Sequence, residues 1–367
     1  MDNLGDIEKT EQEGNNQPLD KAAALQQQVL HQKMHFSGED WQQLTLTKVV
    51  FTDCQFTDIN FAHIQLSQCS FNGCQFTQCD WMAAELDGVI FDRCAFQHVS
   101  MAQSVLKQVL FSESVLNEVT VVSSNQHLTL YTNTKIIKTN FEQAQLRACC
   151  FTGATLEEVN FTDAKLFKCV FDETICQAVL FSKTTIEKSA FMETDLSTSR
   201  FIEVDFYAVQ LNGCQLKEVD LSHCRLESCY FMNSQMQGAT LVGIKGAHAV
   251  FMDADLRDSD FSDAFLLGSC FENADVSYAN MSNAVISQSN WVKAIAIHAN
   301  FVNVSAEYID LSYANVSYAN FSRANLMTAK RHCLVDKECN WLGANTLGAT
   351  GTDLDLAEAE YWSTEVK

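Results

Sequence analysis

From Trp41 to Leu326 almost every fifth residue is apolar, usually large, in one unbroken register. The run opens Trp41, Leu46, Phe51, Phe56, Phe61 and closes Phe301, Ala306, Leu311, Val316, Phe321, Leu326; we call these positions centres. Two residues before each centre is a second periodic position, mostly small or β-branched, as at Cys54, Cys74, Ala154, Ala254 and Ala284. Helix faces recur every three to four residues and strands every two, so neither accounts for a period of five. A short extended piece plus one corner, repeated, does. Two side chains per unit then point inward and three outward.

The charges test this reading. Residues 41–330 hold 31 Asp or Glu and 18 Lys or Arg, and none of the 49 falls on a centre or two before one. Charges indifferent to the period would land there about two times in five. Burying an unpaired charge costs several kcal/mol, so both positions are expected to line a core.

A second periodicity rides on the first. The series Phe51, Phe71, Phe91, Phe111, Tyr131, Phe151, Phe171, Phe191 steps by twenty. Four units therefore make one square coil, with like side chains stacked on like. The 58 centres between residues 41 and 326 make about fourteen coils. At a ladder spacing of about 4.8 Å the rod would be roughly 70 Å long.

The triplets Ala254-Asp255-Leu256, Ala324-Asn325-Leu326 and Ala319-Asn320-Phe321 resemble the A-(D/N)-L-x-x signature of the pentapeptide-repeat family. The resemblance covers about four-fifths of the chain. It implies an all-β solenoid, a right-handed quadrilateral β-helix. The family hosts several functions, and a fold does not by itself assign one.

The flanks divide the chain further. Residues 1–17 are polar and acidic and are expected to be disordered. Residues 18–36 open with Pro18, followed by Ala22, Ala23, Ala24, Leu25, Val29 and Leu30, and read as a short amphipathic helix that caps the first coil. Residues 37–330 are the β-helix, with an irregular stretch or loop over 121–136, where Gln126 takes a centre. Gly246 is a second soft spot. After Leu326 the pattern fails, because Arg331 and Asp336 occupy would-be centres. Residues 327–340 are expected to form a loop, and 331–367 a loop, a loose coil near Trp341 and a terminal helix around Asp355–Trp362. This tail caps the solenoid or joins two chains.

Fifteen cysteines in 367 residues suggest a disulfide framework until they are placed. Cys54, Cys69, Cys74, Cys79, Cys94, Cys149, Cys169, Cys214, Cys224 and Cys229 take the small inward position, and Cys176 a centre. They read as small hydrophobes in a reducing cytoplasm. The polar, acidic start argues against a Sec signal peptide, so the expected location is cytoplasmic, or export without one. No apolar stretch is long enough to span a membrane.

No catalytic constellation stands out, and no cofactor is expected. His63, His98, His223, His248 and His298 fall on scattered outward corners. His332, Cys333 and Cys339 lack a fourth zinc ligand and the usual short spacings. The net charge of −22 argues against direct nucleic-acid binding.

Sorting the charges by face leaves one mildly basic side. The Leu46 face carries +2; the Trp41, Phe51 and Phe56 faces carry −4, −6 and −5. On the Phe56 face, Asp255, Asp258, Asp275, Tyr278, His298 and Tyr318 gather towards the C-terminus, and acid mixed with exposed tyrosine suits a protein partner. Ser124, Asn125, Gln126 and His127 are a second candidate contact, on the expected loop. The leading expectation is a non-enzymatic scaffold or adaptor, of the kind found among bacterial effectors and secretion-system accessory proteins. The alternative is an acidic DNA mimic that binds a type II topoisomerase, as the quinolone-resistance members of the family do.

Overall fold

The computed structural model describes residues 18–365, and between residues 30 and 350 it is a parallel β-solenoid. Leu30 pairs with Val50 and Val50 with Ser70, and this column continues twenty by twenty through Leu130, Cys150 and Lys330 to Thr350. Three further columns start at His35, Asp40 and Thr45. Inside, like stacks on like: Phe151, Phe171 and Phe191 have ring centroids 4.6 and 4.5 Å apart, with planes within 4° and 1°. Adjacent columns meet edge to face, as Phe51 meets Phe56 at 5.5 Å and 75°, a geometry aromatic rings favour. Among the described residues no Asp, Glu, Lys or Arg side chain is buried.

Two kinds of corner occur. In the closed kind the Trp41 carbonyl accepts the Leu44 N–H at 3.3 Å, and Gln43 between them takes φ 60°. In the open kind the chain stays extended for three residues, as at Val50–Thr52, and that internal bond is absent. Both put the residue two past the centre in the left-handed region, at a cost of roughly 1 kcal/mol for a residue with a Cβ. Most such corners recover a ladder bond; Lys48, at φ 58°, donates its N–H to Ser67 O at 2.9 Å. Asp, Asn and His tolerate this conformation best. That explains where His63, His98, His223, His248 and His298 sit, all at positive φ.

An Asn or Asp just before the centre favours the closed corner, although closed corners also follow Ser100, Thr120 and Cys150. Asn60 accepts the Ala62 N–H at 3.0 Å, and Asp275 the Ser277 N–H at 2.9 Å, Asx turns that favour closure. The column from Asp40 is closed at Asn60, Asp80, Asn140 and Asn160, but where Leu180 and Arg200 intervene it becomes strand, Leu180–Ser182 and Arg200–Ile202. Asn125 and Asp205 remain in strands because their neighbours above and below in the ladder are strands. Among the described residues no rung joins Arg200 to Asp220, and a cleft of about 340 Å³ opens there between Ser199 and Asp220.

Several expectations are corrected. The N-terminal helix, α1 (Pro18–Gln27), is shorter than 18–36, and the first strands are Leu30–Gln32 and His35–Ser37. His31 takes a centre: it is buried, stacks on Phe51 at 4.9 Å and meets Leu25 O at 3.0 Å. A histidine with its own partner fills the slot where the pattern calls for an apolar residue. α1 packs on the strand Thr45–Thr47, with Leu25 buried and Gln26 exchanging hydrogen bonds of 2.7 and 2.9 Å with Thr47. Residues 121–136 are neither loop nor distortion but strands Asn125–His127, Leu130–Thr132 and Lys135–Ile137. Gln126 is tolerated inside because Tyr131 Oη–H donates to its Oε1 at 2.9 Å and its amide donates to Ser124 Oγ at 3.1 Å.

Residues 327–340 are regular coil rather than the expected loop, and they run on into the coil expected near Trp341; Val335, Asn340, Asn345 and Thr350 all continue the ladder. Arg331 and Asp336 are allowed at its centres because no coil covers its inner side; both retain solvent contact. A second helix, α2 (Leu354–Glu365), follows. The disorder expected for residues 1–17 lies outside the described residues.

Candidate protein-binding face

Tyr278, His298 and Tyr318 each sit two residues past a centre of the column from His35, at φ 62°, 59° and 62°. Their shared left-handed backbone aims all three rings the same way, one coil apart. Tyr278 and His298 stack at 5.1 Å and His298 and Tyr318 at 4.9 Å, and Lys337 Nζ lies 5.7 Å from the Tyr318 ring. The rings cover one another's faces, yet Tyr278 remains 60% exposed. Three amphipathic side chains are thus held in one outward column at little further entropic cost.

Asp258 occupies the same corner one coil earlier and makes no ion pair among the described residues. Asp255 and Asp275 behave differently. Each accepts its own corner N–H, and Arg257 lies between them, 2.6 and 2.8 Å from the two Asp255 oxygens and 3.9 Å from Asp275. Hydrogen bonds from Arg257, joined by one from Gln237, hold the Asp255 carboxyl below the ordinary range against the opposing effect of burial. The face is therefore less bare acid than the sequence suggests. It reads as Asp258, an Arg257 bridge and an aromatic column. A shallow hollow of about 500 Å³ adjoins it, lined by Gln215, Lys217, Gln235, Gln237, Arg257 and Asp258. The glutamines and Arg257 were missed in the sequence, although Gln215 and Gln235 stand at twenty-residue steps from Asp255 and Arg257 lies between Asp255 and Asp258.

The second candidate group is dispersed. Ser124 and Gln126 are buried core, and Asn125 and His127 face outward from a regular strand, so a loop contact there is withdrawn. His332 holds the C-terminal segment in place. Its Nδ1 accepts the Asp353 N–H at 3.2 Å, its Nε2 lies 3.2 Å from Glu360, and Tyr313 Oη also reaches Glu360. Among the described residues no group of three or more His, Cys, Asp or Glu is placed to hold a metal ion, and no helix is long and apolar enough to cross a membrane.

The fold and its outward column define a parallel β-solenoid with ordered outer ladders. A family profile described as a pentapeptide repeat region matches residues 44–121, and one described as pentapeptide repeats (8 copies) matches 132–163, 210–245 and 249–288. The chain belongs to the pentapeptide-repeat family. No curated protein matches it in sequence. Among solved structures it is similar to QnrB1, a plasmid-mediated fluoroquinolone resistance protein, at 20% identity and TM-score 0.38, over 55% of this chain and 95% of that one. It is similar also to HetL, involved in heterocyst differentiation regulation in Nostoc sp. strain PCC 7120, at 18% identity and TM-score 0.24, over 66% and 90% of the two chains. A thylakoid-lumen pentapeptide repeat protein of Arabidopsis thaliana aligns at 26% identity and TM-score 0.14, over 29% and 67%.

Proposed function

We propose that the chain is a non-enzymatic scaffold or adaptor that docks a partner protein along the Phe56 face. The stacked column Tyr278–His298–Tyr318 carries this reading. Tyrosine is enriched among residues that dominate binding energy, and rings already ordered lose little freedom on docking. The hollows named on the described surface are open and shallow, which supports docking along a face. The eleven buried thiols fit a reducing compartment, in keeping with the cytoplasm. The exposed Leu342 and Leu347 of the last coil, with α2, offer a surface through which two chains pair by their C-terminal tails. The test is quantitative partner capture by the full chain carrying Asp258→Lys, Tyr278→Ala and Tyr318→Ala together. Capture should fall at least about tenfold, the size of one lost hot spot of roughly 1.4 kcal/mol or more. Undiminished capture would mean that the face is idle.

The net charge of −22 keeps a second reading in play, an acidic mimic of DNA that engages a type II topoisomerase. Adding the protein to a gyrase supercoiling assay separates the two. Unchanged supercoiling, with no protection from a quinolone, removes the second.

A further inference from the structure

The Leu46 face contains a cluster that the Phe56-face reading does not use. Phe167 points outward there, half-buried, and three cations surround its ring: Arg147 at 5.1 Å, Lys168 at 5.5 Å and Lys188 at 5.9 Å from the centroid. Lys165 is two residues away, and Lys107 and His127 continue the Arg147–Phe167 ladder towards the N-terminus. Glu187, next in that ladder, is the cluster's one acid. None of these four surrounding bases forms an ion pair among the described residues. Cations over an aromatic face, unpaired, on the only net-positive side of an acidic rod, form a surface for a carboxylate-rich polypeptide.

The chain supplies one. Residues 1–17 hold Asp2, Asp6, Glu8, Glu11 and Glu13 against Lys9, five acids and one base, net −4. They join α1, which is bonded to Thr47 of this same face. The reach suffices. From Pro18 along the helix to Gln26 is about 12 Å. From the Thr47 rung to the Glu187 rung is seven ladder steps, about 34 Å. Seventeen extended residues span up to about 56 Å. Between helix and cluster the face is hollowed into a groove of about 380 Å³ that includes Glu85, Asp87 and Lys107. The uncharged run Gly14-Asn15-Asn16-Gln17 would pass its two carboxylates, leaving the acids to meet the bases beyond.

We propose that the acidic segment 1–17 docks in cis on the Arg147–Phe167–Lys188 cluster, so that the basic side of the rod is covered by the chain itself. The test titrates a fluorescent peptide of residues 1–17 into two full-length proteins, the native chain and one carrying Asp2→Asn, Asp6→Asn, Glu8→Gln, Glu11→Gln and Glu13→Gln. A tethered native tail competes at millimolar effective concentration, so the peptide should bind the neutralised-tail protein at least about tenfold more tightly. Adding Arg147→Glu, Lys165→Glu, Lys168→Glu and Lys188→Glu to that protein should abolish binding, with circular dichroism confirming that the solenoid is intact. Equal affinity for the two tails, no binding to the neutralised-tail protein, or binding that survives the four reversals would each overturn the proposal. A partner-capture defect from Phe56-face variants is independent of all three outcomes.

Discussion

Residues 41–132 and residues 251–326 stand on the same ladder but close their corners differently. In the first region three of the four columns run as three-residue strands. The centre carbonyl is then not taken up by a turn, and the small inward residue of the next coil reaches it. Cys74 Sγ donates to Phe51 O at 3.5 Å, Cys94 to Phe71 O at 3.2 Å, Ser114 Oγ to Phe91 O at 3.1 Å and Thr134 to Phe111 O at 3.0 Å. In the second region the corners are closed turns, and the carbonyl is used locally, as when Phe271 O accepts the Ala274 N–H at 3.0 Å. No inward polar group is needed, and alanine recurs at 254, 264, 274, 279 and 284. Buried carbonyls must find a donor, and the two regions solve that one problem in two ways. Cysteine in this protein is thus a carbonyl partner as well as filler. For Cys79 and Cys224, burial pushes the thiol up to about 11, which keeps it protonated and able to donate at neutral pH.

The largest test strikes what the regions share. Phe91→Ala should cost about 3–5 kcal/mol, read as a fall in the denaturant midpoint, because a ring stacked on both sides leaves a cavity. Phe271→Ala should cost a similar amount; a much smaller loss would show that the closed region does not depend on its aromatic column. The next test separates them. Ser114→Ala removes the bond to Phe91 O and the acceptor for the Cys94 N–H at 3.0 Å, and should cost about 1–3 kcal/mol. The reciprocal Ala274→Ser should yield no matching gain, because its carbonyl is already occupied. Equal and opposite effects would break the distinction.

Asn280→Leu probes the Asx turn. Asn280 Oδ1 accepts the Ser282 N–H at 3.2 Å and the Asn300 amide at 3.0 Å, and its own amide donates to Asp260 at 3.0 Å. Its loss should cost about 1 kcal/mol and speed amide exchange at Ser282. Unchanged exchange would mean that something other than the Asx turn closes the corner. The smallest effect concerns the Asp255–Arg257 pair. Arg257 lowers the folded pKa of Asp255, so the pair's contribution is present above the ordinary carboxylate range and disappears as pH falls through the folded value. Both groups are partly exposed, so the contribution should be below about 1 kcal/mol. Asp255→Asn should lower stability at neutral pH by about that amount, leave it nearly unchanged below the folded pKa, and so flatten the acid limb of the profile.

The five-residue period made the core legible in advance because the solenoid repeats one burial rule with no long-range rearrangement. The twenty-residue step likewise placed Tyr278, His298 and Tyr318 in one column. The reading failed where a polar residue satisfied its own needs indoors. His31 hid the first coil by bonding to Leu25, and Gln126 suggested a loop while sharing a hydrogen bond with Tyr131. At the other end, Arg331 and Asp336 concealed a coil whose inner side no further coil covers.

Spacing alone determined which side chains face inward, because an inward charge has no compensating partner anywhere along a uniform tube. Spacing also settled which outer residues are neighbours, since each coil repeats after four units. Only the tertiary structure decided what those neighbours do to one another. Arg257 bridging two carboxylates, three cations closing around Phe167 and α1 lying over the first coil depend on side-chain directions and distances of a few ångströms, which a period does not encode.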